Sequence, residues 1–385
     1  MKFFINSYFG DNQSIGLLSH IKKRLPYGMD DQWMVFSHYT ERGWTVDNLW
    51  HIFTDFYGGQ YAPLAFLSYL VLYAGFGYDP FYFHMFSLLL HIGCVCLVWK
   101  LISSLLRVHG GVSEKQILYV NFITTLLFAV HPINVEAVAW ISALKVLLYA
   151  FFYLLGLLCY LRYIRTSKIF YYVLTIGCFL CSFWGKEQAV TFPLALLIVD
   201  WFTNRNMKNL EVWSEKMSFL IMAFFFGIIT VLSQGKGPYE MIFPLYQRLL
   251  FGCFALVEYI TKSLLPVNLN FFYPFPIVLG EEPPLHYYLY PVVLLFLMGW
   301  IIAYRNNRYL VFGVLLFLVN LLFSIHLFNM SRHAIVADRY MYLSYVGIAF
   351  LIANGIWWLR KRLSYFKAAL VFLFFYCFFL SVYTF

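Results

Sequence analysis

Apolar runs of roughly 18–25 residues with almost no charge recur along the chain, each long enough to cross a ~30 Å hydrocarbon core as a helix. No soluble globule of 385 residues could hide them all. Hydrophobic residues make up 62% of the chain and charged residues 12%, against ~45–50% and ~25% in soluble domains. An ordinary soluble enzyme, a disordered chain, a collagen and a disulfide-stapled secreted domain are therefore excluded. A membrane β-barrel would show ~10-residue alternating segments instead. The fold class is all-α, a polytopic transmembrane helical bundle. Charged punctuation places crossings near 81–101, 117–130, 146–161, 169–185, 188–203, 217–233, 287–304, 309–328, 340–358 and 366–385. The expectation is a bundle of about 10–11 membrane helices with interfacial helices in its outer loops. Residues 245–265 carry Arg248, Glu258 and Lys262 and read as an interfacial or re-entrant helix. Residues 61–76, bracketed by Pro63 and Gly75, read similarly. Residues 1–60 form an N-terminal segment and first outer loop, residues 61–385 the membrane core, and no soluble repeat domain is expected after it.

The net charge is +9. One alternate set of loops holds 15 basic residues and only three acidic ones: Lys100 to Lys115, Arg162 to Lys168, Arg205 to Lys216, Arg305/Arg308 and Arg360 to Lys367. The positive-inside rule puts that set in the cytoplasm. This accounts for the basic balance without nucleic acid, for which no binding signature is present. The alternation requires that 245–265 does not cross. The seven cysteines sit mostly inside apolar runs without zinc-ligand spacing.

Five polar segments then fall on the other, external side, where ionisable groups near a membrane carry function more often than structure. In Tyr27-Gly-Met-Asp-Asp-Gln-Trp33, the adjacent carboxylates Asp30 and Asp31 suit a general base and its partner, or else a solvated acidic turn. In the segment His131 to Ser142, His131 and Glu136 can face a cavity and Trp140 can stack on a sugar, or the segment is a helix-breaking turn with anchors. Lys186 and Glu187 stand at the mouth of two helices, as a phosphate contact or an interfacial ion pair. The aromatic, Pro-punctuated loop Leu264 to Pro276, with Tyr273, reads as groove lining or packing. Asp338, Arg339 and Tyr340 open an apolar helix, where Arg suits bidentate phosphate contacts and an Asp–Arg pair is the structural alternative.

Taken in order, these segments resemble the GT-C glycosyltransferases. The branch is that of the protein O-mannosyltransferases that join a membrane core to tetratricopeptide repeats, with their bacterial relatives. The resemblance rests on Asp30-Asp31, Gln60-Tyr-Ala-Pro-Leu64, Pro80-Phe-Tyr-Phe-His84, Leu88-Leu-Leu-His91, His131-Pro, Glu136-Ala-Val-Ala-Trp140, Lys186-Glu with Ala189-Val-Thr, Pro266-Val-Asn-Leu, Phe272-Tyr-Pro-Phe-Pro276 and Ala337-Asp-Arg-Tyr-Met-Tyr-Leu343. It implies an external active site and a polyprenyl-phosphate sugar donor. The sugar would be a mannose-like hexose, and the acceptor a protein, lipid or glycan hydroxyl. By that resemblance Asp30 or Asp31 is the base, and Lys186, Arg339 and Lys145 neutralise the donor phosphate. His131, Glu136, Trp140, Glu187, Tyr273, Asp338 and Tyr340 shape the substrate cleft. With no retention signal or transit peptide read in the sequence, the expected setting is a bacterial inner membrane with the site facing the periplasm, an endoplasmic-reticulum membrane being the alternative. No cofactor is required by it, and a divalent cation, Mg²⁺ or Mn²⁺, stays open because an acidic pair can hold one.

Three departures accompany the resemblance. The family's first membrane helix is not evident ahead of Asp30, where residues 1–29 are interrupted by Lys22-Lys23-Arg24, so the expectation is a misplaced start, a truncated gene or a first helix supplied by another chain. The family's Arg-x-Asp after Trp-Ile-Ser is here Leu144-Lys145-Val146, and the repeats that would dock an acceptor are missing. The competing readings are a non-catalytic GT-C-like scaffold or lipid-phosphate binder, and a transporter, for which paired half-chain repeats and broken midplane helices are lacking.

Overall fold

A computed structural model of the chain describes residues 31–234, 243–327 and 334–384. Asp30, the expectation about a first helix, and residues 328–333 lie outside them. Among the described residues the regular structure is helical, with two isolated bridges and no strand. In lipid each backbone N–H and C=O needs an internal partner, and only helices provide that run by run.

Among the described residues twelve helices of eleven residues or more make the bundle: α1 (Pro63–Phe76), α2 (Pro80–His109), α3 (Glu114–Val130), α4 (Leu144–Thr166), α5 (Ile169–Gly185), α6 (Phe192–Phe202), α7 (Leu210–Gln234), α8 (Leu245–Leu264), α9 (Leu289–Ala303), α10 (Arg308–Leu321), α11 (Met341–Trp358) and α12 (Leu363–Thr384). Local chemistry sets their ends. Asp79 caps α2 by accepting from Phe81 N at 3.0 Å ahead of Pro80, and Ser113 caps α3 by accepting from Gln116 N at 3.2 Å. Gly110, at φ 79°, closes α2 in a conformation that disfavours a Cβ.

Each of the ten expected crossings contains a helix. Among the described residues six helices are long and apolar enough to cross a membrane, or seven if α3 and the helical turns after it, bent by 52°, count as one broken span, and Pro63–Phe76, Ile169–Gly185 and Arg308–Leu321 are shorter apolar helices. Polar breaks shorten some of the runs. The run after Lys186 spends residues Glu187–Thr191 in a 3-10 turn, leaving α6 only 11 residues, roughly 16 Å. Hydropathy registers the apolar run and not the point at which the backbone leaves it.

The most enclosed span is α4, which packs against α2 and α5; α11 packs against α3 and α10. The α10–α11 seam needs small residues, because a Cβ on Gly347 would lie 2.7 Å from Phe317 N. Helices α9 and α12 leave most of their apolar surface outward, as lipid-facing spans do. Helix α8 stays at one end of the bundle. The Phe254 ring of α8 lies 5.1 Å from that of Tyr287, just before α9, and its Lys262 meets Asp338, just before α11. That placement preserves the alternation of loops. The described part of the N-terminal segment packs into the same end, where Met34, Val35 and Tyr39 share an apolar cluster with Phe66, Tyr69, Ile141 and Leu148.

Candidate active site

The polar breaks in the helices converge at this end. Glu136, in the short helix Val135–Ala139, accepts the backbone N–H of Arg339 at 2.6 Å through Oε2 and the guanidinium Nη1 through Oε1. The Arg339 guanidinium carbon lies 5.0 Å from the centre of the Trp140 ring and 5.2 Å from that of Tyr340. A carboxylate and two aromatic faces thus fix the plane of the arginine fork. Lys186, in the extended residue after α5, places its Nζ 4.6 Å from the centre of the same Tyr340 ring and is 3% exposed. Two cations separated by most of the core therefore share one tyrosine.

Asp338 is the centre of a second arrangement. Its Oδ1 accepts from Lys262 Nζ at 3.1 Å and its Oδ2 from the Tyr273 hydroxyl at 2.8 Å, while Lys262 Nζ sits 3.5 Å from the Tyr273 ring centre. Tyr273 is held by a bridge in which Ile335 N donates to its carbonyl at 2.9 Å. Burial, with the Asp338 carboxylate beside it, pushes the Tyr273 hydroxyl well above its usual range, so it remains a donor at neutral pH. The sequence offered Asp338 and Arg339 to each other. In the structure each reaches a different element, Asp338 to α8 and Arg339 to the turn after α3, so the neighbouring pair ties three parts of the chain together.

The third arrangement joins the N-terminal segment to the start of α4. Asp31 is buried, and its Oδ1 accepts from the backbone N of Ser142 at 3.0 Å and from the Ser142 hydroxyl. Lys145 Nζ donates to Gln60 Oε1 at 2.5 Å and lies 3.6 Å from the Met34 sulfur. Next to it, Val146 is packed in the apolar core. The position where the resembled family carries its Asp is thus filled by an interior aliphatic side chain.

The two other expected cleft residues are placed as follows. His131 is buried, 1% exposed. Its Nδ1 accepts from Ile133 N at 3.2 Å, and its ring packs 4.3 Å from that of Tyr345. A histidine between a helix end and a proline can satisfy a loose backbone N–H, and here it does so. Glu187 is half-buried at the first position of the 3-10 turn after Lys186. Three residues that earned no role from sequence belong to the site's framework: Lys262, Ser142 and Gln60. Only the four-residue spacing of Glu258 and Lys262, whose charged atoms lie 3.8 Å apart, marked α8 as more than an anchor. Among the described residues no three His, Cys, Asp or Glu side chains converge to hold a metal ion, and Asp31 already spends one oxygen on Ser142.

Part of the chain is similar in sequence to known proteins. The chain resembles the TMTC-type protein O-mannosyl-transferases. It is 32% identical over 189 residues to the mouse (Mus musculus) Protein O-mannosyl-transferase TMTC2, covering 45% of this chain and 21% of that protein. It is 28% identical over 172 residues to Drosophila melanogaster Protein O-mannosyl-transferase Tmtc3, covering 40% and 18%. It is 31% identical over 167 residues to the human (Homo sapiens) Protein O-mannosyl-transferase TMTC4, covering 38% and 22%. The match thus spans about a fifth of the length of these curated relatives. No family model and no solved structure matches the chain.

Proposed function

We propose that this protein is a membrane glycosyltransferase that moves a hexose, mannose-like by its relatives, from a polyprenyl-phosphate donor to an acceptor hydroxyl. The relatives' printed names make a protein hydroxyl the favoured acceptor. The reading is carried by one observation: Lys186 and Arg339, from separate segments, converge on the Tyr340 ring, with Arg339 aimed by Glu136 and Trp140. Cations held on aromatic faces bring positive charge to one place, and charge of that sign is what a leaving phosphate needs as its bond to the sugar breaks.

In this mechanism the acceptor oxygen attacks the anomeric carbon. Its proton passes to a carboxylate of the Asp30–Asp31 pair, and the bond from that carbon to the phosphate oxygen breaks. The polyprenyl phosphate leaves with the extra negative charge, which Arg339 and Lys186 neutralise. A single displacement inverts the anomeric centre. Ser142 holds Asp31 oriented and favours its charged form. Lys145, tied to Gln60, fixes the loop after α3 to the N-terminal segment from the edge of the site. By the positive-inside rule the site end is external, which in a bacterial inner membrane is the periplasmic side.

A second reading, a donor-binding protein without turnover, is favoured by Val146, which leaves no carboxylate at that point of α4. Membranes carrying the full chain, supplied with labelled polyprenyl-phosphate sugars and a hydroxyl-bearing peptide, separate the two. Transfer that disappears in Asp30→Asn/Asp31→Asn supports the enzyme. Donor binding without transfer in the wild type supports the binder.

A further inference from the structure

We infer that the opposite, basic end of the bundle carries a binding site for one anionic phospholipid, seated between α2, α4 and α5 and independent of the glycosyl-transfer reading. A half-open cavity of about 500 Å³ lies there, within the ~300–1,000 Å³ usual for ligand sites. Leu97, Leu155 and Leu158 form its apolar wall, while Lys100, Arg162 and Arg165 supply its charge.

Some of the cations at this end are already paired with carboxylates. Arg107 meets Glu114 at 3.1 Å, and Arg205 and Lys216 are both bound to Asp200 and Glu215. Lys100, Arg162 and Arg165 have no carboxylate oxygen within 4.0 Å among the described residues, yet they open on a single cavity. Their helix positions sharpen the point. Arg165 lies in the last turn of α4, where the helix dipole already welcomes a cation. Lys100 stands roughly 30 Å along the helix axis from Pro80, at the edge of the apolar part of α2 nearest the same end.

A phosphodiester headgroup answers both features. Its oxygens satisfy Lys100, Arg162 and Arg165 together, and its acyl chains lie along the leucine wall, continuous with the surrounding leaflet. Basic pockets between membrane helices suit anionic headgroups for this reason. Free phosphate would supply the charge but leave the apolar wall uncovered.

Native mass spectrometry of the full chain, released from nanodiscs of mixed phosphatidylglycerol and phosphatidylcholine, tests the site. The expected result is one retained phosphatidylglycerol, favoured about tenfold over phosphatidylcholine. That preference should be lost in Lys100→Gln/Arg162→Gln/Arg165→Gln and be insensitive to added inorganic phosphate. Lys100→Gln alone, the milder change, should weaken the preference about threefold, which keeps the test alive should the triple variant fail to fold. An unchanged preference in Lys100→Gln overturns the inference. So does displacement by inorganic phosphate, or equal retention of the two lipids by the wild type.

Discussion

At the basic end of α4, Asp200 and Glu215 meet Arg205 and Lys216, and Tyr160 donates its hydroxyl to Asp200 at 2.8 Å. All five residues fall between positions 160 and 216, Asp200 and Lys216 are fully buried, and each carboxylate faces both cations. At the other end of α4, about 22 Å away by helix rise, charge is arranged differently. Glu136 reaches Arg339, Lys262 reaches Asp338, and Asp31 reaches Ser142, across 203, 76 and 111 residues of sequence. Cations rest on rings at both ends: Lys216 on Tyr160 at the first, and Arg339 on Trp140, Lys186 on Tyr340 and Lys262 on Tyr273 at the second. The first cluster pairs locally and ties α4, α6 and α7 together. The second joins segments far apart in sequence, and on the proposed function its cations serve the donor phosphate.

The contrast can be broken most sharply at Arg339. Arg339→Ala should lower turnover by about 10²–10³-fold, the scale for removing one preorganised donor to developing charge. Measuring kcat and KM on membrane-reconstituted protein checks it, and a change in stability alone would put Arg339 with the first cluster. Asp200→Asn should do the reverse. It leaves Lys216 to Glu215 alone and should cost about 3 kcal/mol of stability, read as a lower thermal midpoint with turnover per folded molecule unchanged. Gly347→Leu, a packing change remote from both clusters, should cost about 1–3 kcal/mol by forcing α10 and α11 apart, again without altering KM. Trp140→Ala, which removes one ring under Arg339, should weaken donor affinity about threefold to tenfold, the worth of a partly desolvated cation–π contact.

Much of this was legible before the structure. The all-helical bundle, the interfacial α8 and the segments holding Glu136, Lys186 and Arg339 can be read from apolar runs, charge and motif order. The pairings could not be read. Asp338 and Arg339 are neighbours, so local reasoning joins them, whereas the 3-10 turn Asp338–Tyr340 sends their side chains to different elements. Lys262 on an amphipathic helix looks like a snorkelling anchor until α8 is placed across the site end. His131 was read as cleft lining, and its hydrogen bond from the Ile133 backbone N–H is visible only in the turn geometry. The lengths of α6 and α10 were not legible, because they begin or end at polar breaks that barely lower a window's hydropathy.

The most direct test of the two-ended account is the binding of a labelled polyprenyl-phosphate sugar to three forms of the full chain in nanodiscs. These are the wild type, Lys186→Ala/Arg339→Ala and Asp200→Asn, each checked for folding by its thermal midpoint. The account predicts donor binding in the wild type, its loss by about two orders of magnitude in the double variant, and its retention in Asp200→Asn despite lower stability. Equal donor binding by the folded double variant and the wild type would contradict it.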